Sequence, residues 1–142
     1  MNINSKIISI LAIAGILLSA YMSYYHYQLR ASPRLGWCDL GKFINCESVL
    51  LSKYSEVFGM PVAYLGVLWF AVLLVLSSFR FSFLGKNAES LLFLWCAAGL
   101  AVVTFFIIIE LFILHSICIL CTSVHILTLA ISFLVFKRMK LF

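Results

Sequence analysis

The fold of this chain is decided by residues 91–136, which read LLFLWCAAGLAVVTFFIIIELFILHSICILCTSVHILTLAISFLVF. The stretch contains two long apolar runs, 90–114 and 117–136, separated only by His115 and Ser116. Each run has the roughly 20 apolar residues that a helix needs to cross a bilayer. Backbone amides in hydrocarbon must be satisfied within a helix or a closed barrel, and neither run alternates apolar with polar residues. The stretch therefore predicts two membrane helices joined by a tight turn.

Two further runs of this kind lie upstream, at residues 7–27 and 62–79. Over the 142 residues, 65% are hydrophobic and 11% are charged, whereas a globular chain is about half apolar and a quarter charged. The first run follows Lys6 as a secretory signal would, but no small-residue cleavage pattern precedes Tyr24, so we expect a retained anchor. The sequence predicts an all-α integral membrane protein, a single domain over 1–142 with a bundle of four transmembrane helices.

Basic residues predict how the four spans are oriented, because Lys and Arg are enriched on the cytoplasmic side of membrane proteins. Both termini and the loop after residue 79 share one face, which carries six basic residues, Lys6, Arg80, Lys86, Lys137, Arg138 and Lys140. The opposite face carries four, all in the loop 30–60. We expect cytoplasmic termini and an outer loop at 30–60 in a cell membrane. The net charge of +5 follows largely from this bias and does not indicate nucleic-acid binding.

The outer loop 30–60 also contains a helical pattern. Asn45 is a favourable N-cap, Glu47 lies in the first turn, and apolar residues recur at helical spacing as far as Phe58, just before Gly59. An amphipathic helix outside the bilayer tends to lie in the interface with its apolar face towards lipid. We therefore expect a short amphipathic helix at the membrane surface.

The fourth span opens with a Cys-x-x-Cys motif, Cys118-Ile119-Leu120-Cys121, in a helix that we expect Ser116 to cap. Free amides and the positive end of the helix dipole stabilise a thiolate in such a position. Residues three apart share a helix face, so the two sulfurs can form, break and re-form a disulfide. The motif therefore favours redox chemistry over a static cross-link.

A second pair, Cys38 and Cys46, lies in the outer loop, where the predicted topology brings all four cysteines to the oxidising side of the membrane. The short segment between them includes Gly41, which suits a pair that exchanges partners by thiolate attack. The alternatives are two structural disulfides in a non-catalytic membrane scaffold, or a zinc site, for which only one pair has the usual ligand spacing. Cys96 has no predicted partner and is expected to be a buried apolar residue.

A polar stripe follows the motif along the fourth span, because Thr122 and His125 share a helix face with the two cysteines. A quinone is an apolar ring with two carbonyl acceptors, so this stripe could hold one within reach of a sulfur. Alternatively, the two side chains could bond across the bundle. Glu110, the one acid inside a predicted span, is either functional or close enough to the surface for its carboxylate to reach water.

Taken together, these motifs resemble the vitamin K epoxide reductase family. The resemblance rests on Cys38-Asp39-Leu40-Gly41, on residues 46–62, which read CESVLLSKYSEVFGMPV, and on the late Cys-x-x-Cys. The spacing of the loop pair, the serine six residues after the second loop cysteine and the Phe-Gly-x-Pro entry to the second span make it specific. The resemblance covers nearly the whole chain.

The resemblance implies a thiol oxidoreductase in which Cys118 and Cys121 are the active-site pair and Cys38 and Cys46 are a shuttle pair. The shuttle would take electrons from a thioredoxin-like or DsbA-like partner and pass them on through a mixed disulfide between Cys46 and Cys118. Cys121 would face the electron acceptor, a quinone such as ubiquinone, menaquinone or another naphthoquinone. Such an enzyme would support disulfide formation in other proteins.

The resemblance also implies roles for several neighbours of the cysteines. Ser52 would belong to the active site, while Tyr54 and Phe58 would be walls of the quinone pocket. His125 stands four residues after the last cysteine, where vertebrate members have a tyrosine that bonds a quinone oxygen. Some prokaryotic members carry a fused thioredoxin-like domain, and none is present in these 142 residues, so we expect a separate partner protein.

Overall fold

A computed structural model describes residues 3–32, 37–78 and 86–140 of the chain. The predicted cytoplasmic loop around Arg80 and the outer-loop residue Arg34 lie outside these ranges. The elements, in chain order, are α1 (Ile3–Ala31), α2 (Cys46–Leu50), β1 (Glu56–Val57), β2 (Met60–Pro61), α3 (Ala63–Ser78), α4 (Lys86–Ile108), a π-helical turn (Ile109–Ile113) and α5 (Ile119–Lys140).

Within the described ranges, three helical segments are long and apolar enough to cross a membrane, Ser5–Ala31, Asn87–Ile113 and Ile119–Met139. The helix α3 is also apolar, but its 16 residues span about 24 Å, less than a hydrocarbon core of about 30 Å. Large apolar side chains on the outside of the bundle are more than half exposed, including Leu17, Leu68, Phe105 and Phe133. This surface suits lipid rather than water, so the predicted membrane helical bundle is confirmed in outline.

The helices enclose two buried clusters, because α1 packs along α3 and α5 while α4 packs on α5 and α3. One cluster lies toward the N-terminal half of α1 and contains Ile8, Phe70 and the fully buried Cys96. A β-carbon at Gly15 would lie 2.5 Å from the ring of Phe70, so glycine allows this close approach. The other cluster lies toward the C-terminal half of α1 and contains the remaining cysteines.

The helix in the outer loop is shorter than the predicted one, whose pattern continued as far as Phe58. Its start is as predicted, since Asn45 Oδ1 accepts a hydrogen bond from the Ser48 amide at 2.7 Å. However, α2 ends at Leu50, and β1 and β2 form an antiparallel hairpin beyond it. The hairpin turns at Phe58 and Gly59, which both have positive φ values, 53° and 78°. A two-residue turn of this kind matches the twist of the strands and excludes a helix through Phe58.

Candidate functional site

Four cysteines from two distant parts of the sequence lie in one buried cluster, as the predicted topology required. Cys38 and Cys46 form a disulfide with their α-carbons 5.6 Å apart, whereas Cys118 and Cys121 are free thiols. All four side chains are buried. Buried sulfurs react with few molecules from solution, so their exchange partners are restricted to one another and to what docks at this surface.

The segment between Cys38 and Cys46 is joined to the start of α5 by backbone hydrogen bonds. The Ile117 amide donates to Phe43 O at 2.7 Å, and the Asn45 amide donates to Ile117 O at 3.1 Å. These bonds flank a parallel bridge between residues 44 and 117. Cys118 directly follows the bridge on one segment and Cys46 lies two residues beyond it on the other, so the bridge brings these two cysteines into the same buried cluster.

The helix α5, which corresponds to the predicted fourth span, begins two residues later than predicted, and its N-cap is a cysteine. The helix α5 starts at Ile119, and Cys118 Sγ accepts a hydrogen bond from the backbone amide of Cys121 at 3.2 Å. This amide is the third of the helix, the one that a capping oxygen normally bonds. Ser116, the predicted cap, lies outside the helix, with its hydroxyl 3.5 Å from Lys42 O. The Cys118 sulfur therefore occupies the position that favours negative charge at a helix N-terminus.

A cavity of about 340 Å³ lies against this cysteine cluster, between α1, α3, α4 and α5. Its walls are predominantly apolar and aromatic, with few polar groups. Small-molecule pockets in proteins have this size and character, at roughly 300–1,000 Å³. Cys121 is one of the cavity walls, so this member of the helix pair is adjacent to whatever binds there.

The structure brings most, but not all, of the predicted pocket residues to this cavity. Ser52, Tyr54 and His125 line it together with Cys121. Phe58 does not line it, because it lies at the tip of the hairpin and is 97% exposed. Thr122 does not line it either, since its hydroxyl donates to the backbone carbonyl of Cys118 within the same helix, at 2.9 Å. Phe58 and Thr122 are therefore not among the residues that line this cavity.

Sequence reasoning missed several cavity walls contributed by α3 and α4. Trp69 and Trp95 face each other across these helices, and each indole donates to the backbone carbonyl of the other, at 3.3 and 3.1 Å. Glu110 also lines the cavity and is 5% exposed, so its carboxylate does not reach out to water as one interpretation of the sequence had it. Nothing in the spacing of these residues indicates a shared site, because their proximity depends on how α3 and α4 pack.

His26 is another missed residue, although its position within the predicted span 7–27 was a signal for a special role. The side chain is 1% exposed and lines the cavity. Its Nδ1 donates to Leu50 O at 2.7 Å, and its Nε2 lies 3.0 Å from Glu56 Oε1. Arg30 Nη2 lies 2.6 Å from the same carboxylate oxygen. His26 therefore fastens both α2 and the hairpin of the outer loop to α1.

We expect His26→Ala to loosen the outer loop and lower the free energy of unfolding by about 2 kcal/mol, because the buried bonds of the imidazole to Leu50 O and to the Glu56 carboxylate are both lost, although Leu50 O keeps the Ser55 hydroxyl as a donor. Thermal unfolding in detergent and limited trypsin cleavage after the exposed Lys53 measure the two effects. Gln28→Ala is the control, since this neighbour bonds only the Tyr24 hydroxyl at the exposed surface. Equal melting temperatures and equal cleavage rates in the two variants would contradict the fastening role of His26.

Comparison with known protein families gives one match over this region. The sequence model of the vitamin K epoxide reductase family matches residues 6–136. The matched range contains the four clustered cysteines, all the cavity walls and most of every helix. A match over nearly the whole chain is much stronger than the presence of a single motif, since it includes the spacing between distant elements. The chain therefore belongs to the vitamin K epoxide reductase family, whose members are oxidoreductases.

Proposed function

We propose that this protein takes two electrons from the dithiol of a thioredoxin-like or DsbA-like partner and delivers them to a membrane quinone. The observation that carries the proposal is the arrangement of two cysteine pairs in one buried cluster, with one of the four cysteines, Cys121, in the wall of an apolar cavity. A scaffold whose disulfides are only structural would not need an apolar cavity next to a free thiol.

The proposed relay consists of two thiol–disulfide exchanges. The partner dithiol first reduces the Cys38–Cys46 disulfide and leaves as a disulfide. Cys46 thiolate then attacks Cys118 in an oxidised helix pair, which forms the Cys46–Cys118 bond and releases Cys121 as a thiolate. Cys38 attacks Cys46, which restores the loop disulfide and frees Cys118, and the two protons that the shuttle thiols give up leave Cys118 and Cys121 as thiols. A loop disulfide beside two free helix thiols, the pairing seen here, is the state that follows this step.

The cavity fits the electron acceptor that the relay requires. A bound quinone would supply a sink for two electrons and two protons, and quinones are far more oxidising than protein dithiols, where each 30 mV is worth about 1.4 kcal/mol for two electrons. In this proposal the apolar walls hold the ring, Trp69 and Tyr54 among them, while His125 and Ser52 offer polar groups for its carbonyl oxygens. The rate of quinone reduction with ubiquinone, menaquinone and another naphthoquinone identifies the quinone that the cavity prefers.

The proposal includes an orientation in the membrane. The short helix α3 would be the second of four spans, and 1–142 would form a single membrane domain. The excess of basic residues at the termini and after α3 favours a cytoplasmic location for both termini. The cysteine cluster would then face the outside of the cell, where partner proteins acquire disulfides.

The test of this function is quinone reduction by the purified protein, followed optically with two different electron donors. We expect wild type to turn over with a reduced DsbA-like protein and with a small chemical dithiol. Cys38→Ala should lose most activity with the protein donor and keep much of it with the small dithiol. The reason is that a small dithiol can reach the helix pair directly, whereas a protein donor needs the shuttle.

The opposite results are also informative. A wild-type protein that is inactive with every quinone class, and whose four cysteines stay locked as two disulfides, would support the scaffold interpretation instead. Equal loss of activity with both donors in Cys38→Ala would argue against a separate shuttle step, provided that the variant retains the wild-type melting temperature.

A further inference from the structure

Glu110 is a buried acid that the relay described above does not use. Its side chain is 5% exposed and lines the same cavity as Cys121. A carboxyl group so deep in an apolar bundle is costly, and such groups in membrane proteins usually take part in function. The neighbouring helix thiols indicate which reaction this carboxyl group can take part in.

A local distortion of the backbone places Glu110 there. The residue lies in the π-helical turn that ends α4, where the Leu114 amide bonds Ile109 O at 2.9 Å, one residue further back than in an α-helix. The chain then reverses through His115, which has a positive φ of 49°. Single π-helical turns are rare and are found frequently at functional sites. In this chain the turn is followed within a few residues by the helix thiols.

Glu110 lies next to the start of α5, where both helix thiols are. Its backbone carbonyl accepts a hydrogen bond from the Ser116 amide at 3.1 Å, two residues before Cys118. Its side chain lines the same cavity as Cys121. The other titratable groups that line the cavity are His26 on α1, Tyr54 in the outer loop and His125 on α5. Glu110 is the carboxylate among the titratable groups that line the cavity, and it lies near the N-terminal end of α5, where the two sulfurs are.

The chemistry of the proposed function leaves two protons to be moved. Oxidation of Cys118 and Cys121 to a disulfide releases two electrons and two protons, and reduction of a quinone to a quinol consumes the same number. The cavity is apolar, so a proton that leaves a buried thiol needs a nearby base. We propose that the Glu110 carboxylate receives the proton of the Cys121 thiol as this pair is oxidised. The inference rests on the proposed function and adds a proton-transfer residue to it.

The test compares Glu110→Gln, Glu110→Asp and a matched control, Glu89→Gln, on the same helix. Glu89 is exposed in the first turn of α4, with Arg138 at 3.8 Å, and should behave as wild type. We expect Glu110→Gln to lower kcat for quinone reduction by about a hundredfold, because amides do not accept a proton. KM should change little. In wild type kcat should rise with pH as Glu110 loses its proton, and this rise should be retained in Glu110→Asp and lost in Glu110→Gln.

A second measurement needs no quinone and separates proton transfer from a packing role. The rate of Cys121 alkylation is measured in the reduced, quinone-free protein by peptide mass spectrometry. Glu110→Gln should alkylate as fast as wild type or faster, because a neutral amide no longer opposes a second negative charge beside it. Loss of packing would instead lower the melting temperature and change Glu110→Asp and Glu110→Gln alike.

The inference is overturned if Glu110→Gln keeps kcat within a few fold of wild type. It is also overturned if both Glu110 variants are equally inactive and equally destabilised, because the side chain would then serve packing alone. These results leave the proposed function intact as long as wild type reduces quinone and depends on Cys118. If wild type does not reduce quinone at all, the proposed function fails and this inference fails with it.

Discussion

Cys118→Ala is expected to lower quinone reduction by at least about a thousandfold, as loss of a reacting nucleophile usually does. Cys118 shares one buried cluster with Cys46 and Cys121, and in the proposed relay both exchange steps pass through its sulfur. Without it, Cys121 has no partner with which to form a disulfide, and the helix pair cannot give up two electrons. No other thiol among the described residues is placed to substitute, since Cys96 is buried in the other cluster.

The fold should survive the same substitution. Alanine removes the sulfur that caps α5, which costs about 1 kcal/mol, a small part of the stability of a packed helical bundle. Cys96→Ala is the matched control, because it removes a buried thiol of the same size from the cluster that lacks the site. We expect this control to lose some thermal stability and to keep its activity. Full quinone reduction by a folded Cys118→Ala protein would rule out the proposed mechanism.

The helices were the most predictable part of this structure, because the length of an apolar run is enough to predict a membrane helix. Each predicted span overlaps an apolar helix, three of these helices are long enough to cross a membrane, and α1 extends at both ends beyond the predicted 7–27. Hydropathy marks where the chain meets lipid, whereas a helix continues until its hydrogen bonds or caps end it. The outer-loop prediction failed at Phe58 for a different reason. Helical spacing of apolar residues does not reveal that a Phe-Gly pair will adopt positive φ and close a hairpin.

The site was predictable where it followed from topology. Once the span order was known, the two cysteine pairs had to lie at the same end of the bundle, and they do. Helical periodicity was less reliable for Thr122, because it assigns a side chain to a face but does not say whether the hydroxyl bonds its own helix. The positions of Trp69, Trp95 and Glu110 depend on helix packing and on a π-helical turn, which a single sequence does not encode in any simple pattern.

Cys121→Ser is expected to trap a disulfide between Cys46 and Cys118 as the major species after oxidation. In wild type the mixed disulfide is short-lived, because Cys121 can attack Cys118 and regenerate the helix pair. Serine does not form a disulfide, so this exit is closed. The capping bond on Cys118 Sγ is kept, since its donor is the backbone amide of residue 121 and not the side chain. The bridge between residues 44 and 117 continues to join the two segments that carry Cys46 and Cys118.

Non-reducing peptide mapping identifies the trapped bond, and two further variants sharpen the result. Adding Cys38→Ala to Cys121→Ser should raise the trapped fraction, because Cys38 is the other thiol that can attack Cys46 and release Cys118. Cys96→Ser should show no Cys46–Cys118 bond, since Cys96 takes no part in the exchange. If Cys121→Ser contains only the Cys38–Cys46 disulfide, then Cys46 does not pass electrons to Cys118, and the helix pair must receive them directly from the partner protein.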